Sequence, residues 1–260
     1  MQIQRKEITM TIDLGYALYV SVVCTFFGWL TYGMHGFGLT YPVVCGPLVG
    51  LLLGDVNTGI IIGGTLQLVY LGVVGIGAAI PVNATTATTV STALCIITGI
   101  SMETAVALAV PVAVLGQLDR MLAWTLNTPL MHIADRYGED AKFKPMVRLT
   151  YVGSLIFWIT EFIPVFLCIY FGSSFVAALN DNMPVWVTNW LRATTGMLPA
   201  LGFGMLFSMM YKPKYIPYFI IGFVFCAVFK GSLLSVALIG VAAALINFGQ
   251  STNTRKKGVN

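Results

Sequence analysis

The stretch from Gly54 to Thr89 gathers polar side chains in a chain that is otherwise strongly apolar. It holds one carboxylate and three amides, which are Asp55, Asn57, Gln67 and Asn83, together with many threonines and glycines. Amides and carboxylates hydrogen-bond to neighbouring hydroxyl groups, and an aromatic side chain covers the apolar face of a ring. These residue types therefore suit a neutral, hydroxyl-rich ligand such as a sugar.

Other ligands fit the same stretch less well. An anionic ligand favours Arg or Lys, and the stretch contains neither. A sodium ion held by Asp55 and threonine hydroxyls stays open as an alternative, which keeps an ion-coupled carrier among the possible functions.

The composition around this stretch is that of an integral membrane protein. Of the 260 residues, 57% are hydrophobic and 9% are charged, whereas a soluble domain carries about 25% charged residues. The net charge of +4 is small and local, so nucleic-acid binding is not expected. The five cysteines are scattered singly and no metal-ligand spacing occurs, so we expect buried thiols, no metal and no cofactor.

Apolar segments predict an all-α, polytopic protein with about seven to nine helical elements, because a crossing needs about 20 apolar residues. Several segments are half-length or broken by Gly and Pro, which predicts re-entrant half-helices. The segments are Leu14–Tyr32, Tyr41–Leu53, Ile60–Ile80, Thr85–Ile100, Ala105–Leu130, Leu149–Phe171, Val185–Met210 and Ile216–Phe248, the last interrupted at Lys230-Gly231.

Basic residues set the expected orientation. The loop that contains Lys142, Lys144 and Arg148, and the tail that contains Arg255, are expected in the cytoplasm. We divide the chain into an N-terminal segment (1–12), a membrane domain (13–248) and a basic cytoplasmic tail (249–260). No removed signal peptide is expected, since the first residues lack a cleavage site after a short apolar core.

Polar groups at membrane depth need protein or water around them, since lipid offers no hydrogen bonds. Two interpretations follow. Asp55 or Asn57, and Asn83, could cap broken helices, as Ser101 could at a later one. Alternatively, the broken helix ends converge on a polar substrate, as in transporter binding sites. The residues expected nearest that substrate are Asp55, Asn57, Thr65, Gln67, Asn83 and Thr85.

The same residues carry a family resemblance. The run GDVNTGIIIGGTLQL at Gly54–Leu68, AVPVAVLGQ at Ala109–Gln117, and GMLPALGFGMLF at Gly196–Phe207 resemble the enzyme IIC component of the mannose/fructose/sorbose family of bacterial sugar phosphotransferase systems. Further matches are G-x-x-x-IGAA at Gly72–Ala79, His132–Asp135 and YIPYFIIGF at Tyr215–Phe223. The resemblance covers about residues 13–248.

The resemblance implies a sugar permease subunit in the bacterial inner membrane, with inverted helical repeats. It implies a second membrane subunit, IID, and cytoplasmic IIA and IIB components, with the phosphohistidine on IIB. No catalytic residue is therefore expected on this chain, and no phosphate loop is present in it. An ion-coupled secondary sugar transporter and a non-transporting assembly subunit are the alternatives.

Two departures bear on the sugar. At position 67, where this chain has Gln67, many relatives carry Glu. At position 83, where this chain has Asn83, the mannose and sorbose types carry Asp. An amide adds donors and removes a charge, which suits an acetamido carbonyl and therefore an N-acetylgalactosamine-like sugar, although a neutral hexose fits as well. Elsewhere in the membrane, Glu161 is expected either to pair with Arg192 or to leave Arg192 reaching the outer surface.

Overall fold

The fold was analysed in a computed structural model, which describes residues 13–33, 38–75, 80–181, 184–232 and 234–245. In these ranges the chain forms nine α-helices and no strand, which confirms the predicted all-α class. The helices are α1 (Leu14–Gly33), α2 (Pro42–Leu53), α3 (Val56–Val69), α4 (Ala84–Thr98), α5 (Met102–Glu139), α6 (Phe143–Asp181), α7 (Val185–Met210), α8 (Ile216–Ala227) and α9 (Leu234–Leu245).

Long and short helices are both present, as the apolar segments predict. Four windows within the described residues are long and apolar enough to cross a membrane: Leu14–Thr31, Met102–Glu139, Phe143–Ser173 and Val185–Met210. Helices α2, α3 and α4 have 12, 14 and 15 residues. At about 1.5 Å per residue none of these three spans a hydrocarbon core of about 30 Å.

Several bounds differ from the expected ones for identifiable reasons. Helix α3 runs through Gly63-Gly64 without a break. Gly63 serves packing here, since it lies against α2 and lets the two helices approach. Helix α5 continues past Pro129 to Glu139, so part of the polar segment expected as a loop is helical. The break at Lys230 is confirmed, with the backbone of this residue in the left-handed region at φ 51°.

The chain divides into two compact units, residues 1–206 and 207–260. In the first unit, α2 packs along α3, α1 packs along α6, and α4 lies among α1, α2, α5 and α6. Every residue of α4 from Thr85 to Cys95 is buried. The hydroxyls of Thr88 and Thr89 bond within the helix, Thr88 to the Ala84 carbonyl at 2.8 Å. Those of Thr85 and Thr86 bond to other elements.

The close approach of α2 and α3 depends on glycine. A Cβ at Gly46 would lie 2.7 Å from the Cα of Gly63 and 2.8 Å from the carbonyl oxygen of Gly59. Small residues at such an interface let helix backbones touch, which is a common way to pack helices in membranes. The pair therefore forms a tight helical hairpin.

The second unit contains the last turn of α7, a 3-10 turn at Pro213–Tyr215, and helices α8 and α9. Aromatic rings of α7 and α8 meet here, with Phe207 and Phe219 4.5 Å apart between centroids. Four apolar side chains of α8 are more than half exposed, which suits contact with lipid or another membrane subunit: Phe219, Ile220, Ile221 and Phe223. The boundaries at residues 12 and 248, the membrane orientation and the inverted repeats stay predictions.

Candidate functional site

The six residues expected near the substrate do not form one cluster. Asp55 and Asn57 lie at the beginning of α3, whereas Gln67 lies close to its end. Asn57 and Gln67 are ten residues apart, which is about 15 Å along a helix axis. A single monosaccharide cannot contact both ends, so the candidates fall into two groups.

The first group is at the turn from α2 to α3. Asp55 caps α3: its carboxylate accepts hydrogen bonds from the Thr58 backbone N–H at 3.1 Å and from the Thr58 hydroxyl at 2.7 Å. Asn57 is exposed. The cap satisfies helix-terminal groups within four residues, and it needs no other element of the fold.

The second group joins three helices. The Gln67 side-chain oxygen accepts a hydrogen bond from the Val43 backbone N–H at 3.3 Å, at the beginning of α2. The Thr85 hydroxyl donates to the Thr40 carbonyl at 2.7 Å, just before α2 begins. The end of α3 and the first turn of α4 therefore both bind the segment from Thr40 to Val43, which we call the helix joint.

Asn83 supports the joint and is itself covered. It caps α4, with its side-chain oxygen accepting from the Thr86 backbone N–H at 3.2 Å. Its backbone N–H donates to the Ala113 carbonyl at 3.1 Å, and its side chain packs against Gly116. Asn83 is only 3% exposed, so in this arrangement its side chain lies inside the protein.

Thr65, the sixth candidate, faces away from the joint, and the nearby Tyr70 hydroxyl already has a hydrogen-bond partner. Thr65 is two residues from Gln67, which places the two on nearly opposite faces of α3. Its hydroxyl bonds to the Ile61 carbonyl at 2.8 Å. The Tyr70 hydroxyl donates to the Ala109 carbonyl at 3.1 Å.

Sequence reasoning predicted the capping residues and missed the contacts between helices. Ser101 caps α5, as expected, by accepting from the Thr104 N–H at 3.2 Å. Glu161 does not pair with Arg192, which instead lies 3.2 Å from Glu103 and is 64% exposed. Glu161 accepts a short hydrogen bond from the Thr86 hydroxyl, and no local pattern predicts a contact across 75 positions.

The titratable and thiol groups offer no other centre in the described part of the chain. No group of three or more His, Cys, Asp or Glu there is arranged to hold a metal ion. All five cysteines are free, and three of them are fully buried. The helix joint is therefore the candidate site among the described residues.

The comparisons with known proteins cover almost the whole chain. The family model described as "PTS system sorbose-specific iic component" matches residues 14–246. The chain is 33% identical over 243 residues to the N-acetylgalactosamine permease IIC component 1 of Escherichia coli K12, covering 93% of this chain and 89% of that protein. It is 34% identical to the mannose-specific EIIC component of the same strain, over 79% of this chain and 77% of the relative.

Solved structures are similar too. A structure described only as a membrane protein superposes with a TM-score of 0.81 at 29% identity, covering 92% of this chain and 96% of the other. A chain of the mannose transporter ManYZ in complex with microcin E492, solved by cryo-EM, superposes with a TM-score of 0.58 at 30% identity. That match covers 92% of this chain and 97% of the other.

Proposed function

We propose that this chain, which belongs to the sorbose-specific IIC family of sugar phosphotransferase systems, imports an N-acetylgalactosamine-like sugar bound at the helix joint. It is a multi-pass membrane permease subunit. The observation that carries the proposed site is the meeting of two half-length helices, α2 and α4, with Gln67 and Thr85 between them. Interrupted helices that meet at membrane depth form the substrate sites of many transporters.

The sugar class follows from how the Gln67 amide is held. The Val43 N–H must have an acceptor, so the side-chain oxygen of Gln67 faces it and the NH2 group faces away. That NH2 group has no hydrogen-bond partner among the described residues. A donor in this position favours a substrate with a strong acceptor, such as the carbonyl of an acetamido group.

Partners follow from the family. One structural relative is described as the mannose transporter ManYZ. By analogy, this chain acts with a IID membrane subunit, and cytoplasmic IIB, phosphorylated by IIA, transfers the phosphoryl group to the incoming sugar. The exposed apolar side chains of the long helices give such a membrane subunit apolar surface to cover.

Uptake of labelled N-acetylgalactosamine tests this function. Vesicles would carry this chain with the IID subunit encoded beside it, with phosphorylated IIB present or absent and mannose as a competitor. Accumulation of sugar phosphate that needs phosphorylated IIB and resists mannose supports the proposal. Strong competition by mannose moves the substrate to a hexose, and accumulation of unmodified sugar without IIB, abolished by an ionophore, indicates an ion-coupled carrier instead.

Gln67→Glu tests the sugar class in the same vesicles. The carboxylate cannot donate, and it also repels an acetamido carbonyl, so we expect KM for N-acetylgalactosamine to rise about 10-fold, as for one unpaired buried polar group. KM for mannose, measured alongside, should change less, because a hydroxyl can donate to the carboxylate. Equal loss for both sugars would contradict the role of the Gln67 donor.

A further inference from the structure

Glu161 is the most deeply buried carboxyl group of the described chain, and the proposed permease function does not use it directly. It lies within α6 and is 3% exposed. A buried carboxyl group is costly unless its hydrogen bonds are satisfied, so its partners indicate what it holds in place.

One partner lies in the first turn of α4, where the Thr86 hydroxyl donates to the Glu161 carboxyl group. On the other side the carboxyl group lies directly against Gly28 of α1, where a Cβ would overlap it. Glu161 therefore fills a gap between α1 and α4 that is fitted to this carboxyl group.

The first turn of α4 is fixed at three points. Thr86 is tied to α6 through Glu161, Asn83 is tied to α5 through the Ala113 carbonyl, and Thr85 is tied to the helix joint through the Thr40 carbonyl. Consecutive helical residues point about 100° apart, so holding Thr86 on one side sets the direction of Thr85 on another.

We propose that Glu161 is a positioning residue for the sugar site. By holding Thr86 it sets the rotation of the first turn of α4, and so the place of Thr85 at the helix joint. This role rests on the proposed binding of sugar at the joint. It requires a hydrogen-bonding group at position 161 and does not require a charge, because the Thr86 hydroxyl needs only an acceptor.

Three substitutions separate this role from simple core packing. Glu161→Ala removes the acceptor, and Glu161→Gln keeps an acceptor oxygen on a side chain of the same length. Thr86→Val removes the donor and keeps the shape of the side chain. Ile169→Ala is the matched control, since Ile169 lies two turns further along α6, is 0% exposed and does not touch the α4 first turn through any hydrogen bond.

Sugar uptake gives the first readout. We expect Glu161→Ala and Thr86→Val each to raise KM about 10-fold, with Vmax per amount of membrane protein within about twofold of wild type. KM of Glu161→Gln should stay within about threefold of wild type. KM of the double variant Glu161→Ala/Thr86→Val should be no higher than that of the stronger single variant, as for residues that act as one unit. Ile169→Ala should lower the melting temperature and leave KM within about twofold. An equal rise of KM in Ile169→Ala, or a double variant whose fold-changes multiply, would overturn the proposal.

Amide hydrogen exchange on the purified complex gives a second readout that does not depend on the sugar. Glu161→Ala should lose protection across residues 84–88, whereas Ile169→Ala should not lose it selectively there. Unchanged protection overturns the positioning role even if transport falls. If wild-type vesicles prefer another sugar, the proposed substrate fails, and the same variants are compared with that sugar.

Discussion

The two ends of α3 carry similar side chains and do different work. At the beginning, Asp55 bonds to Thr58, three residues away in the same helix. At the end, Gln67 bonds to Val43, at the beginning of a different helix, and Thr85 of a third helix bonds beside it at Thr40. The hydrogen bonds at the beginning of α3 form within a single helical turn, whereas those at its end form only when three helices are assembled.

This difference indicates which end can respond to a ligand. A cap closed within one turn leaves little for a sugar to organise. A joint between half-helices has backbone groups of several elements close together, so a ligand placed there contacts more than one of them. Substitutions at the joint and at the cap of α3 should therefore have different effects.

Gly63→Ala should have the largest effect. A Cβ at Gly63 would lie 2.5 Å from the Pro42 carbonyl oxygen and 3.1 Å from Pro47, so α2 has to shift and Val43 moves away from Gln67. Forced overpacking of this kind costs about 1–3 kcal/mol, and we expect sugar uptake to fall at least about 10-fold.

Gly64→Ala is its matched control. Gly64 is the next residue of the same helix, and a Cβ there meets nothing within 4 Å. Uptake should stay within about twofold of wild type, because alanine also favours the helix over glycine by about 1 kcal/mol. Equal loss in both variants would show that the contact of α2 with α3 is not what the joint needs.

Thr85→Val should have an intermediate effect. Valine keeps the shape of threonine and removes the donor to the Thr40 carbonyl, so one part-buried acceptor of the joint loses its partner. We expect KM to rise about fivefold, which corresponds to about 1 kcal/mol. Thr88→Val removes a hydroxyl that bonds only within α4 and serves as the comparison, with KM expected near wild type.

Asp55→Ala should have the smallest effect on transport. It removes the cap of α3, which costs about 0.5–2 kcal/mol of stability and lowers the melting temperature by a few degrees. KM should stay within about twofold of wild type, and Asp55→Asn should restore the melting temperature because asparagine also caps helices. A large rise of KM in both variants would place the substrate, or an ion, at this end.

Local features of the fold were predictable from the sequence because they depend on neighbours in the chain. Asp55, Asn83 and Ser101 are capping residue types at the beginning of expected helices, and each caps its helix through the residue three positions later. The half-length elements followed from the positions of Gly and Pro. The family resemblance extended these observations to function and is confirmed by the match over residues 14–246.

Contacts between distant elements were not predictable in this way. Glu161 and Arg192 lie in consecutive long helices, yet Glu161 bonds to Thr86 and Arg192 to Glu103. Which face of each helix meets which neighbour is decided by packing over the whole chain, and local sequence patterns do not reveal it. For the same reason the six candidate residues formed one set in the sequence, whereas in the fold five of them form two groups and Thr65 lies outside both.

Equilibrium binding of labelled N-acetylgalactosamine to the purified membrane complex tests the central claim most directly. Gln67→Ala and Asn57→Ala change the same type of side chain at opposite ends of α3. We predict a Kd at least about 10-fold higher for Gln67→Ala and within about twofold of wild type for Asn57→Ala. A Kd that rises for Asn57→Ala and not for Gln67→Ala would contradict the account and place the sugar at the turn between α2 and α3.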